Sequence, residues 1–494
     1  MIGKRSSGIL MHISSLPGEY GIGDFGKEAY GFVDFLIKSK QRNWQILPLG
    51  ITGYGDSPYQ SFSAFAGNPY FIDLEELIDS GFLDRQEIKD TFLGSNPHKV
   101  DYATLYNNKM AILKKAYENS YNKLREELQS FYMEHEDWLR EFSLFMSIKS
   151  LFNNQSWTKW DDEFKQFDSE EVRRFETEHE WEMFFWVFTQ YYFLKQWQKL
   201  KKYANDNGIS IIGDLPIYVS EDSADVWANS KLFNLDEAKT PVTVAGCPPD
   251  AFSATGQLWG NPIYDWEIME NNQYNWWIKR IKFSFELYDS LRIDHFRGFE
   301  SYWEIKYGAE NAIHGQWIKG PGMKLFNRIK EVLGDLDIIA EDLGFLTEDV
   351  YQLIADSGFP GMKVLQFAFD PREASDYLPH NYNQNSVVYT GTHDNETSVG
   401  WFDSIPKEDF LYAVRYLKLN YDEGLHWGLI RGAWSSVSNL AIAPMQDFLG
   451  LDNTARMNKP STIGDNWTWR MDKAALTDEL ARKIAELTEL YKRG

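Results

Sequence analysis

Eight short apolar runs punctuate the chain, at 8–13, 44–49, 209–215, 291–295, 337–341, 362–367, 386–390 and 440–443. Each is four to seven residues long and bounded by polar or turn-forming positions, the signature of a buried strand. Between them, apolar positions return every third or fourth residue, which is helical spacing. Strands that alternate with helical stretches indicate an α/β protein. Eight of them fit a (β/α)8 TIM barrel, whose functional groups sit at the C-terminal ends of the strands.

The spacing is uneven. The second and third runs are separated by an insertion over about 50–208, far more than one helix requires, and 105–150 and 170–206 read as largely helical. In the second of these, Trp181, Phe184, Phe185, Phe188, Tyr191, Tyr192 and Leu194 form an apolar stripe expected to pack on the barrel. A loop-rich insertion follows over about 217–280. It contains a Pro-, Gly- and Asn-rich stretch at about 247–262 with the composition of a binding loop. A last helix is expected over 473–492. No β-rich segment follows the eighth run, so no C-terminal β-sandwich domain is expected, and 1–494 reads as a single barrel with insertions.

Several chemistries can be set aside. Gly21, Gly23 and Gly26 match the dinucleotide fingerprint G-x-G-x-x-G, but residues 41–55 hold no acid to grip a ribose, so the stretch reads as the turn into the first barrel helix. There is no Walker loop, no H-E-x-x-H and no G-x-S-x-G elbow, and the nine histidines are scattered. One cysteine, Cys247, can build neither an intrachain disulfide nor a thiolate metal site. No cofactor or metal is implied. The formal charge of −23 argues against nucleic-acid or anionic-membrane partners. No apolar stretch is long enough to span a bilayer and the N-terminus lacks a signal-peptide core, so a cytoplasmic protein is expected.

Three of the apolar runs end in acids: Leu-Arg-Ile-Asp-His-Phe-Arg-Gly at 291–298, Ile-Ile-Ala-Glu-Asp-Leu-Gly at 338–344 and Val-Val-Tyr-Thr-Gly-Thr-His-Asp-Asn-Glu at 387–396. A single acid at a strand end is an ordinary helix cap. Three in consecutive β–α units, flanked by Arg and His, are expected to converge at one barrel mouth as Asp294, Glu341 and Asp394. Glycosidic cleavage needs this set: a carboxylate to trap the anomeric carbon, about 5–5.5 Å from an acid that protonates the leaving oxygen in a retaining enzyme. Repulsion between two such carboxylates raises one pKa and makes that group the donor. Arg292 lies two residues before Asp294 on the same strand face and is expected, with Arg297 nearby, to keep it ionised. Glu341 has the longer reach of an acid/base. The aromatic content, 16% with 19 Trp, provides for a core and for flat surfaces suited to sugar rings.

The same three runs resemble the motifs of the α-amylase clan. The chain as a whole resembles one branch of it, the amylomaltases or 4-α-glucanotransferases (disproportionating enzymes). Carrying the resemblance are Ser-Ser-Leu-Pro at 14–17, Tyr-Gly-Ile-Gly-Asp at 20–24, Trp-Gln-Ile-Leu-Pro-Leu at 44–49, Gly-Tyr-Gly-Asp-Ser-Pro-Tyr-Gln at 53–60, Gly-Asp-Leu-Pro-Ile-Tyr-Val at 213–219, the 248–262 loop, Arg-Met-Asn at 456–458 and Asn-Trp at 466–467. It implies Asp294 as nucleophile, Glu341 as general acid/base and Asp394 as the residue that binds and distorts the sugar. Tyr59, Asp214, Arg292 and His393 would surround that sugar. Asp250, Gln257 and Trp259 would lie in a loop closing over glucan, and Tyr54 at a second glucan contact. The implied activity is transfer of α-1,4-glucan segments among maltooligosaccharides, starch or glycogen, by retaining double displacement through a covalent glucosyl-enzyme intermediate. The implied partners are glucan donors and acceptors, glucose included. The residues alone leave a hydrolase open, since both reactions use the same acids, and also a non-catalytic glucan-binding barrel. The choice of transfer rests on the resemblance.

Overall fold

A computed structural model describes residues 3–53, 55–249, 253–344 and 346–494. In chain order its strands are β1 (Ser6–Leu10), β2 (Asn43–Gln45), β3 (Ser210–Pro216), β4 (Thr243–Cys247), β5 (Gln257–Pro262), β6 (Ser290–Asp294), β7 (Ser301–Lys306), β8 (Gly315–Lys319), β9 (Ile338–Ala340), β10 (Gly361–Val364), β11 (Ser386–Tyr389) and β12 (Leu440–Pro444). Eight of these close a parallel barrel in the order β1-β12-β11-β10-β9-β6-β3-β2. Each expected run supplies one barrel strand. The runs at 44–49 and 362–367 are longer than the strands they contain: the second turns into a 3-10 segment at Leu365–Phe367.

The barrel strands are β-branched and apolar because both faces are covered; Ile211, Leu291, Ile339, Val387 and Ile442 are fully buried. Toward the C-terminal rim the lumen turns polar. Gln45, Asp214, Arg292 and Tyr389 are buried there, and the Tyr389 hydroxyl donates to Gln45 Oε1 at 2.9 Å. Gly213, just before Asp214, has no room for a side chain: a Cβ would lie 2.2 Å from the Tyr288 ring. The glycine-rich loop at 21–26 feeds the helix Lys27–Lys38, for which Gly26 is the N-cap.

Between β2 and β3 stand α1 (Met110–Glu134), α2 (Glu136–Leu151) and α3 (Glu180–Asp206). The stretch 105–150 is broken at His135 and 170–206 at His179, both with non-helical backbone. The aromatic stripe of α3 departs from expectation. Trp181 and Phe188 meet Tyr117 of α1, and Tyr191 meets Phe131 of α1, so much of the stripe packs on a neighbouring helix of the insertion. The barrel contact comes from the next turns, where Phe193 and Trp197 meet Phe25 and Trp197 meets Tyr288. A helix of 27 residues is long enough to serve two partners in succession.

The segment after β3 is also more regular than its composition suggests. β4 and β5 pair as an antiparallel hairpin and join β7 and β8 in a four-stranded sheet of order β5-β4-β7-β8 beside the barrel mouth. The binding-loop stretch is therefore partly a strand, with Gln257 and Trp259 on β5. The last helix, α4 (Asp478–Leu490), is capped by Thr477. Beyond it the buried Arg493 donates to the carbonyls of Ser6, Trp434, Ser436, Ser438 and Asn439, fastening the C-terminus under the strand starts of β1 and β12.

Candidate active site

Four barrel strands deliver the charged groups to one rim. Asp214 comes from β3, Arg292 and Asp294 from β6, Glu341 follows β9, and His393 with Asp394 follows β11. β3 and β6 are paired so that Asp214 lies beside Arg292 and Pro216 beside Asp294. Arg292 sits at the centre. Its Nη1 donates to both Asp214 oxygens at 2.8 and 2.7 Å, and its Nη2 lies 2.9 Å from Asp294 Oδ1. The Tyr59 hydroxyl donates to Asp214 Oδ2 at 2.8 Å.

Glu341 is held by backbone. His295 N–H donates to Oε2 at 2.7 Å and Leu343 N–H to Oε1 at 3.0 Å. His295 can aim its N–H there because it adopts a left-handed conformation, φ 53° and ψ 47°, immediately after Asp294. This backbone is uncommon for a residue with a side chain and marks a site fixed by its surroundings. Asp394 is held from the other side. Asn458 Nδ2 donates to Oδ1 at 2.6 Å, His393 Nε2 lies 3.3 Å from the same oxygen, and Arg456 Nη2 donates to the Asp394 carbonyl at 2.6 Å. The rings of Tyr59 and His393 stack at 5.2 Å, and Trp467 leans on both.

The electrostatics separate the two principal acids. Burial raises the Glu341 pKa and the neighbouring Asp294 charge raises it further, to about 7, against the opposing pull of Arg292 and the two N–H donors. Asp294 is also raised above the ordinary carboxylate value: Arg292, expected to keep it ionised, pulls it down by less than its surroundings push it up. Burial outweighs the guanidinium, and the charges of Asp214 and Asp394 add to it. The physical reason is that Arg292 divides its charge, with two of its three short contacts going to Asp214. Asp294 still has the guanidinium in direct contact and Glu341 does not, so the first negative charge of the pair resides on Asp294 and the proton on Glu341. Burial likewise holds His295 neutral, its pKa lowered to about 3, and pushes Tyr59 far above its usual value, so its hydroxyl remains a donor.

The structure thus brings together Tyr59, Asp214, Arg292, Asp294, Glu341, His393 and Asp394. Trp259 stands at the same rim: its ring meets the His295 ring edge-on at 4.7 Å and its Nε1 donates to Gln257 Oε1 at 3.1 Å. Arg297 turns instead toward Ser301 and over the Trp317 ring. Tyr54 and Asp250 lie outside the described residues. Asn458, Trp467 and His295 contact the acids or their partners without having been singled out for it. The first two stand in strings that carry the family resemblance, which was the only available signal. The third lies in the 291–298 run, which resembles the clan motifs, but its backbone role shows only in its angles. Among the described residues no group of three or more His, Cys, Asp or Glu is placed to hold a metal ion, and no helix is long and apolar enough to cross a membrane.

A parallel barrel with a glutamic acid of raised pKa beside a second carboxylate at its C-terminal rim, ringed by aromatic and hydrogen-bonding side chains, is the equipment of a glycoside-processing enzyme. Comparison with known proteins makes the class specific. Residues 11–477 match the family model of 4-alpha-glucanotransferases, glycoside hydrolase family 77, and the chain belongs to that family. It is 54% identical to the 4-alpha-glucanotransferase of Clostridium butyricum over 98% of this chain and 100% of that one. It is 51% identical to the enzyme of the same description from Streptococcus pneumoniae, over 99% and 98%. Among solved structures, the amylomaltase of Streptococcus agalactiae in complex with acarbose superposes with a TM-score of 0.97 at 46% identity, covering 99% of this chain and 100% of that one.

Proposed function

We propose that this enzyme moves α-1,4-glucan segments between maltooligosaccharides, or chains of starch or glycogen, by retaining double displacement. Asp294 attacks the anomeric carbon as the bond to the leaving O4 breaks, and Glu341 gives its proton to that oxygen. A glucosyl ester of Asp294 results. Glu341, now ionised, then takes the proton of an acceptor hydroxyl as that oxygen attacks the same carbon and frees Asp294. Asp394, with His393 and Asn458 behind it, grips the hydroxyls of the sugar undergoing reaction, and the Tyr59–Asp214–Arg292 chain fixes the floor beneath it.

The observation that carries this reading is the Glu341 pKa of about 7 beside a carboxylate in contact with Arg292. One group is poised to give and retake a proton near neutrality and the other to attack. Transfer in preference to hydrolysis is supported by the rim. Trp259 stands against His295 at the rim, and an acceptor sugar held there would compete with water through its effective concentration. The acarbose complex of the Streptococcus agalactiae amylomaltase supports a glucan-like ligand for a barrel of this shape. A cytoplasmic setting with soluble glucan partners fits a chain whose single cysteine can form no intrachain disulfide.

Incubation with maltotriose tests the proposal. A transferase yields glucose and a ladder of longer maltodextrins at constant reducing-end concentration. Shorter sugars only, with reducing ends rising, would mark a hydrolase; no conversion would leave a binding protein.

A further inference from the structure

Nearly all of the 19 tryptophans are buried or half-buried; Trp181 and Trp317 are the exposed ones, at 41% and 42%. They differ in their surroundings. The Trp181 ring is flanked by Tyr117 and Tyr121 at 4.6 and 4.7 Å, as part of the helical insertion. Trp317 stands on β8, the outer strand of the four-stranded sheet at the barrel mouth. The Arg297 guanidinium lies 4.0 Å from its ring centre, and Trp303, directly opposite on β7, meets it edge-on at 5.3 Å. Trp303 is in turn pinned by its Nε1–H bond to the Ala312 carbonyl at 3.0 Å. The indole is thus held in place by a cation on one side and a ring inclined at 62° at its edge, while much of its remaining surface meets solvent.

Its position ties it to the cleft. Arg297 lies three residues after Asp294, on the 3-10 turn that also carries the left-handed His295. Backbone reach plus one arginine side chain puts the Trp317 ring within about 20 Å of Asp294, a few sugar units away. The other edge of the same sheet is β5, whose Trp259 meets His295. One sheet therefore carries an aromatic on each of its two edge strands, Trp259 beside His295 and Trp317 at the outer edge. A flat apolar surface of low conformational entropy suits the C–H face of a pyranose ring. The cation on this ring is already engaged with the indole, which suits an uncharged ligand better than an anionic one.

We propose that Trp317 is a stacking platform for a glucose unit of a long α-1,4-glucan chain leaving the catalytic cleft, out of reach of the shortest substrates. This rests on the glucan-transfer reading and adds to it a residue that discriminates chain length. Initial rates on amylose and on maltotriose test it in the wild type and in Trp317→Leu, Trp317→Tyr and Trp181→Ala, with retardation of each protein in amylose-containing native gels as a binding readout. Trp317→Leu keeps an apolar cover over Arg297 but has no flat face. It should lower the ratio of kcat/KM on amylose to that on maltotriose about tenfold, the size of one aromatic contact, and reduce gel retardation. Trp317→Tyr should retain most of both, and Trp181→Ala should leave both unchanged. An unaltered ratio and unaltered retardation in Trp317→Leu would overturn the platform and leave Trp317 as a cover for Arg297. So would a loss that Trp181→Ala reproduces. A wild type that transfers no glucan refutes the parent reading instead, and the gel comparison then decides the platform separately.

Discussion

The raised pKa of Glu341 has a consequence for stability that is readable without any substrate. In the unfolded chain the carboxyl returns to about 4.5, whereas in the folded protein it titrates near 7. Between these values the folded state keeps a proton that the unfolded state has released. The contribution is fully present below about pH 4.5 and is lost as pH rises through 7. The separation between the two values corresponds to roughly 1–3 kcal/mol. Glu341→Gln carries no titrating group, so the stability difference between variant and wild type should move by that amount in favour of the variant between pH 5 and pH 8. The constant cost of facing an amide NH2 toward the His295 or Leu343 N–H cancels in this comparison. Urea midpoints of both proteins across the pH series measure the effect. In the Asp294→Asn background the pH-dependent gain should shrink, because the second cause of the shift is gone. Parallel pH profiles for Glu341→Gln and wild type would refute the assignment of the shared proton, and an unchanged gain in Asp294→Asn would refute the coupling of the two carboxylates.

Other expectations follow from single contacts. Asp294→Asn should abolish turnover while amylose still retards the protein, and a near-normal rate would exclude it as nucleophile. Glu341→Gln should be inactive on maltooligosaccharides yet retain activity on a glucosyl fluoride, whose leaving group needs no proton; equal loss on both would contradict the acid role. Trp259→Ala should raise the ratio of glucose released by hydrolysis to glucan transferred, and an unaltered ratio would remove the argument that this ring restrains water. Arg493→Ala should lower stability by roughly 3 kcal/mol, since carbonyls beneath β1 and β12 lose charge-assisted donors. A loss under about 0.5 kcal/mol in urea unfolding would show that water replaces them at no cost.

The barrel was legible because each of its strands is a continuous apolar run, the pattern demanded of a strand buried on both faces. The four-stranded sheet was not. β4 reads Thr-Val-Ala-Gly-Cys, β5 is interrupted by Gly260 at φ 78°, and β8 is exposed along almost its whole length. Such strands are defined by partners far away in the sequence, so composition there resembles a loop. The α3 stripe was visible as a stripe, but periodicity reports that a face is buried and not against what. The Arg493 anchor had no sequence signal, because five backbone carbonyls are invisible in side-chain patterns.

The site shows the same division between what is local and what is assembled. The three acids were recognisable because each ends its own apolar run, His393 stood beside the third of them, and Asp214 came with the motif resemblance. What the sequence could not show is how one cation is divided. Arg292 is two residues from Asp294, and on that ground alone it should depress the carboxyl. In the fold, Asp214 arrives from the neighbouring strand, 78 residues earlier, and takes two of the guanidinium's hydrogen bonds. Asp294 is left with one contact and a raised pKa, which places it closer in energy to its protonated form than a fully paired carboxylate would be. A carboxylate held too tightly by arginine would make a poor nucleophile, and one left unpaired beside Glu341 would compete for the same proton. Division of the guanidinium between Asp214 and Asp294 lies between these extremes. The Tyr59 hydroxyl on Asp214 then adjusts the balance at one remove, by drawing part of the Asp214 charge away from Arg292.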